Sequence, residues 1–269
     1  MDISFIGGGN MAAAMIGGLI QEGTAPQRIH VVDPDETKLH ELAQRYGVST
    51  ARPGAALPSS RMAVLAVKPQ QLEAVARQLA PELGGTLVVS IAAGIRSDTL
   101  AHWLGGHTRI VRVMPNTPAL VRAGLSGAFA APAVSDDDRA AAETVLRAIG
   151  EVVWVAEESR IDGITAISGS GPAYVFYFME ALQEAARAQG FDVSTARTLA
   201  YQTFAGAVAL ALASEDDAAT LRLKVTSKGG TTERAIGTFE QQGLRDIVIA
   251  AAAAAATRSR ELGDELGRG

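Results

Sequence analysis

The sequence predicts an α/β protein. An N-terminal doubly wound, Rossmann-like dinucleotide-binding domain spans residues 1–160, and a C-terminal all-α domain spans 161–269. Three observations carry this expectation. In the first half, short and nearly all-apolar β-branched runs alternate with helical stretches, as in a parallel sheet covered on both faces. A glycine-rich turn follows the first of these runs directly. Beyond about residue 160 the strands stop and only helical segments remain.

The first strand, "DISFIG" (2–7), runs into the stretch Ile6-Gly7-Gly8-Gly9-Asn10-Met11. Here Gly7-x-Gly9-x-x-Ala12 fits the pattern G-x-G-x-x-G/A. Gly7 makes the tight turn, Gly9 lets backbone approach a pyrophosphate, and Ala12 allows close helix–strand contact. The start of the following helix supplies free N–H donors. The second strand, "RIHVVD" (28–33), ends on Asp33, the position that reads the adenosine ribose. A carboxylate there accepts from the 2′-OH and repels a 2′-phosphate. "DPDETK" adds acids and no Arg, which leans toward NADH over NADPH. The alternative is that Asp33 merely caps the next turn.

Residues 36–46 and 70–80 carry helical periodicity. Between and after them come strands "RMAVLAVK" (61–68), "GTLVVSIAAG" (85–94) and "TRIVRVMP" (108–115). Their ends put Ala66, Val67, Lys68 and Pro69, then Ala92, Ala93 and Gly94, then Asn116, at the sheet's carboxyl edge, where ligands bind in such folds. Read singly, each is a turn signal. Together they line one crevice, in which Asn116 can bond a nicotinamide or a substrate. Helix 135–150, with Ser135 or Asp136 as N-cap, and strand 151–156 complete the domain. The boundary falls near "EESRID" (157–162).

In the second half, helix 172–190 begins with Pro172 and stops at Gly190. Helix 194–215 is apolar on most sides and must be buried in a bundle or against another subunit. Residues 243–266 form the last helix. "SGSGPAY" (168–174) superficially resembles a G-x-S-x-G nucleophile elbow, but its spacing is wrong, no strand precedes it and no histidine follows it, so it reads instead as a tight turn capping the helix at Pro172. "SKGGTTERAI" (227–236) interrupts helical surroundings. Gly229-Gly230 permits unusual backbone angles, and Thr231 or Thr232 can cap a helix running from about Glu233. Its N–H groups make an anion site for a small carboxylate, or the turn is simply a capped helix start.

Composition narrows the function classes. The net charge is −5, with no cluster of Lys and Arg, so no nucleic-acid face is expected. Cysteine is absent, which excludes disulfides, thiolate metal sites and a Cys nucleophile. No His/Asp/Glu set has metal spacing, so no metal is expected. All four histidines (His30, His40, His102, His107) lie in the first half, so the second domain offers no histidine acid. The longest apolar run, 247–256, is too short to span a membrane, and no basic leader precedes the first apolar residues. A cytoplasmic protein is expected.

These motifs together resemble the pyrroline-5-carboxylate reductase family over nearly the whole chain. The carriers are "FIGGGNMA" (5–12), "AVKP" (66–69), "VVSIAAG" (88–94), "MPNTPALV" (114–121), "SGSGPAYVF" (168–176) and "SKGGTTERAI" (227–236), in that order. The resemblance implies reduction of a cyclic imine, L-1-pyrroline-5-carboxylate, to L-proline by NADH or NADPH. It implies that the C-terminal domain binds substrate and builds an intertwined homodimer, which in the family often assembles into decamers. It also implies that the loop of Gly230, Thr231 and Thr232 holds the substrate carboxylate, that Thr232 bonds the ring nitrogen, and that Glu215 belongs to the substrate site. Two departures stand out: Lys228 replaces the usual Pro before the glycines, and Leu221-Arg222-Leu223 replaces Leu-Lys-Asp.

Two rival readings remain. A β-hydroxyacid dehydrogenase shares the two-domain plan but needs a base, typically a lysine in a long second-domain helix; helices 172–189 and 194–213 contain none. A non-catalytic dinucleotide sensor is the other, and Lys228 and Leu223 leave it room.

Overall fold

The computed structural model describes residues 2–267. The chain divides into two compact units. One comprises the chain through Ser170 together with the stretch from Ala255 onward; the other is Gly171–Ala254. The division thus falls at Ser170 rather than at 160, and the end of the chain returns to the first unit.

Eight strands form one sheet. They are β1 (Ile3–Ile6), β2 (Ile29–Val32), β3 (Ser49–Ala51), β4 (Met62–Leu65), β5 (Leu87–Ser90), β6 (Ile110–Met114), β7 (Gly124–Ala130) and β8 (Gly150–Trp154). Their order is β3-β2-β1-β4-β5-β6-β7-β8, and every pair is parallel except β6–β7. The chain runs outward from β1 on one side and returns to β4 on the other. The crevice at the carboxyl ends of β1 and β4 is therefore the switch point where such sheets take ligands. β1, β4 and β5 are buried along their whole length, which explains why they are apolar but for Ser4 and Ser90.

The helices of this unit are α1 (Asn10–Gln21), α2 (Glu36–Tyr46), α3 (Pro69–Leu83), α4 (Ser97–Trp103), α5 (Asp136–Arg147) and α6 (Arg160–Ile164). One core layer packs Met15, Ile16 and Leu19 of α1 on Phe5 and Val31. The other packs Leu72, Ala76 and Leu79 of α3, with Trp103 of α4, on Val32, Leu65 and Val88. Ser135 caps α5, accepting from the Asp138 N–H at 3.2 Å.

The apolar runs overshoot the strands. β4 ends at Leu65 and β5 at Ser90, so Ala66–Pro69 and Ala92–Gly94 are loop and helix start, not strand. Five elements went unread in the sequence: β3, β7, α4, α6 and, in the second unit, α9 (Ala218–Lys224). β7 reads "GLSGAFA", whose glycines weaken any strand signal. Gly127 is needed there, since a Cβ would come within 2.3 Å of Ile164 on α6. "SGSG" is also not a tight turn: Thr165–Gly169 forms a π-helical turn, and the next helix begins at Gly171.

The second unit contains α7 (Gly171–Ala188), α8 (Val193–Leu212), α9, α10 (Thr231–Gln241) and the first part of α11 (Leu244–Leu266). Phe178 meets Phe204 and Phe239 edge-on, at 5.9 and 6.2 Å between ring centres. Large apolar side chains nonetheless stay in water: Phe176 is 63% exposed, Leu212 84% and Ile247 60%. The far end of α11 belongs to the first unit. There Ser259 donates to Asp162 at 2.7 Å, Arg96 pairs with Asp264 at 2.6 Å, and Leu262 and Leu266 lie against Gly94.

Candidate cofactor and substrate sites

The glycine turn after β1 is built for close backbone approach. Gly7 has φ +104°, and a Cβ on it would stand 2.6 Å from the Ala66 carbonyl oxygen. Gly9 is the N-cap of α1; no side chain caps the helix, and nothing lies within 4 Å of a Cβ placed there. The first N–H groups of α1 are thus free and reachable, as a pyrophosphate requires. Asn10 opens the helix in solvent, and Met11 is half-buried. Beside the turn lies a cleft of about 710 Å³, lined by Ile6, Val32, Pro34, Leu57 and Val67 with Gln70 and Gln71 at its polar side. A mainly apolar slot of this size suits a purine ring. Val67 is half-buried in its lining, and Ala66, also half-buried, backs the Gly7 turn; Lys68 is exposed, and Pro69 opens α3.

Asp33 does not hang free at the end of β2. It is 6% exposed. Its Oδ2 accepts the Gly8 N–H at 2.7 Å and its Oδ1 accepts the Asp35 N–H at 2.9 Å. The turn-capping alternative therefore describes part of its role.

Two further expected ligand residues have other duties. Gly94 (φ +77°) is buried, and a Cβ there would meet Leu266 at 3.2 Å and Leu262 at 3.5 Å. Ala92 is buried and Ala93 exposed. The Asn116 amide nitrogen donates to the Ser168 carbonyl and hydroxyl oxygens at 3.2 and 3.1 Å, and its amide oxygen accepts the Leu125 N–H at 2.9 Å. Asn116 thus holds the π-helical turn to β7. Ser168, half of this bond, carried no functional weight in the sequence; "SGSG" was the signal that marked it.

The second unit carries the glycine–threonine turn. Gly229 has φ +74° and donates to Glu233 Oε2 at 2.7 Å; Gly230 donates to the Ser227 carbonyl at 3.0 Å. Gly230 is the N-cap of α10, which begins at Thr231. The expectation that Thr231 or Thr232 caps this helix is corrected: there is no side-chain cap. Glu233 reaches back outside the helix instead. The N–H groups of Thr231 and Thr232 face forward from the helix start without helical partners. Thr231 is exposed and Thr232 half-buried. Glu215 is exposed between α8 and α9, while Asp216 beside it is tied to Lys224. Among the described residues, no group of three or more His, Asp or Glu can hold a metal ion. No helix among them is long and apolar enough to cross a membrane.

A dinucleotide-binding α/β unit joined to an all-α unit with an anion-ready helix start defines a two-domain nicotinamide-dependent oxidoreductase. The chain is 44% identical to the pyrroline-5-carboxylate reductase of Pseudomonas aeruginosa, over 99% of this chain and 98% of that one. It belongs to the pyrroline-5-carboxylate reductase family. Residues 158–262 match the family model "Pyrroline-5-carboxylate reductase dimerisation", and residues 2–94 match "NADP oxidoreductase coenzyme F420-dependent". The solved reductase of Coxiella burnetii is similar at 46% identity with a TM-score of 0.92, covering 97% of this chain and 98% of that one. That of Plasmodium falciparum, solved with NADP bound, is 26% identical with a TM-score of 0.82, covering 98% of each chain.

Proposed function

We propose that the chain reduces L-1-pyrroline-5-carboxylate to L-proline with NADH or NADPH, the last step of proline biosynthesis. Full-length kinship with reductases of that name carries the reading. The free start of α1, the Gly7 turn and the adjoining apolar cleft support dinucleotide binding. When bound, the reduced nicotinamide supplies the hydride. The imine can arrive protonated, so the residues need to orient it more than to acidify it. The N–H groups around Gly230, Thr231 and Thr232 hold its carboxylate, the Thr232 hydroxyl orients the ring nitrogen, and Glu215 borders the substrate. Ile6 to Met11, Asp33, Ala66 to Pro69, Ala92 to Gly94 and Asn116 form or brace the dinucleotide site. The working form is a homo-oligomer. A dimer buries faces such as Phe176 and Leu212, and five dimers build a decamer. Its compartment is the cytoplasm.

The test is direct. Purified protein should consume reduced dinucleotide only when the imine is supplied. A folded sample that turns over neither NADH nor NADPH in its presence rejects the reading.

A further inference from the structure

We propose that Lys38, not Asp33, senses the group on the adenosine 2′ position, and that Asp33 is a positioning residue for the phosphate-binding turn. The proposal rests on the dinucleotide reading above. An acid at the end of β2 ordinarily reads the ribose hydroxyls. Here both oxygens of Asp33 are engaged by backbone: Gly8 at 2.7 Å and Asp35 at 2.9 Å. The first bond fixes the glycine turn to β2, and the second shapes the entry to α2. Two N–H donors on one carboxylate also blunt its repulsion of a neighbouring phosphate.

Lys38 stands beside it. Its Nζ lies 4.0 Å from Asp33 Oδ1 and 3.6 Å from Asp35 Oδ2, beyond hydrogen-bonding length, and its side chain is 47% exposed. The ammonium is held in the field of two carboxylates and bonded to neither. Its place is a costly one for a helix, because Lys38 sits in the first turn of α2, where the dipole repels a cation. Two of the free N–H groups there are already taken: Asp35 Oδ1 accepts from Thr37 and Lys38. The nearby Arg52 is committed to Glu36 at 2.6 Å. Lys38 is thus the mobile cation at the ribose end. It shifts onto a 2′-phosphate when one is present and stays with the carboxylates when a hydroxyl is. The chain therefore takes NADPH at least as well as NADH, despite its acidic "DPDE".

Equilibrium titration of the full-length protein tests this with NADPH, NADH, adenosine 2′,5′-bisphosphate and adenosine 5′-monophosphate. Lys38→Met should weaken the two 2′-phosphorylated ligands roughly tenfold or more, the loss of one charged contact, and leave the other two nearly unchanged. Lys38→Arg should restore them, and Arg52→Gln should be silent. Asp33→Asn should weaken NADPH and NADH by the same factor, raising both KM values more than it lowers kcat. An unchanged NADPH/NADH ratio in Lys38→Met overturns the proposal. So does a swing toward NADPH in Asp33→Asn, or a selective loss in Arg52→Gln. Lys38 is on the surface, so its variants decide the matter even if Asp33→Asn fails to fold. Wild-type protein that binds no dinucleotide rejects the underlying reading and this proposal with it. Binding of both with an unmoved ratio rejects the proposal alone.

Discussion

Thr232 stands just inside α10 without a capping role, since Gly230 is the cap. Any effect of its hydroxyl on turnover is then separable from helix stability. Thr232→Ala is expected to lower kcat/KM for the imine by about 1–3 kcal/mol, one to two decades, while dinucleotide titrations stay as in wild type. Full retained activity would rule out the orienting role. Thr231→Ala is the companion. As a non-capping, exposed residue it should shift stability by less than about 0.5 kcal/mol in urea melts. Gly7 tests the other site. At φ +104°, with the Ala66 carbonyl 2.6 Å from any Cβ, Gly7→Ala combines strain with a clash. It should cost more than about 1 kcal/mol and abolish dinucleotide binding. A variant that melts and binds like wild type contradicts this account of the turn.

Between residue and molecule lie the ties that hold one element to another. Arg109, just before β6, grips Asp138 of α5 with Nε and Nη2 at 2.7–3.1 Å. Burial pushes the Asp138 carboxyl up, but Arg109 and Ser135 outweigh it and hold it below its usual 3.8. A carboxylate depressed in the folded state stabilises fully above its unfolded value and loses that contribution as pH falls through the folded one. Asp138→Asn should therefore destabilise by roughly 1–3 kcal/mol near neutrality, with the gap to wild type closing below about pH 4 in thermal melts. A gap constant down to strong acid would show that Asp138 works by packing alone. At this scale the sequence was legible wherever period and burial agree. β1, β4 and β5 announce themselves because both faces are buried, and α5 because its Ser135 cap and acids sit at its start. β7 stayed hidden because what makes it fit, Gly127 under Ile164, is what erases a strand pattern. The site divides likewise. Gly7 and Gly9 follow from local backbone demands. The locked state of Asp33 and the brace from Asn116 to Ser168 depend on partners 25 and 52 positions away, which no local pattern encodes.

The whole molecule shows an imbalance between its units. The α/β unit has two packed layers, whereas α7, α9 and α10 have no buried residue at all. Burying one large apolar side chain is worth about 1.5–3 kcal/mol, so faces such as Phe176 and Leu212 favour a second copy of the chain. Phe176→Asp should yield monomers in sedimentation velocity and sharply reduced activity. A fully active monomer of wild type would refute oligomerisation as a requirement. The path of α11 bears on how the chain is made. Leu262 and Leu266 cover Gly94, and Ser259 anchors Asp162. A nascent chain that has emerged from the ribosome only to Ser170 already displays its glycine turn, yet lacks this cover. The nucleotide unit begins first and is finished last, so its completion waits on translation of the helical unit between.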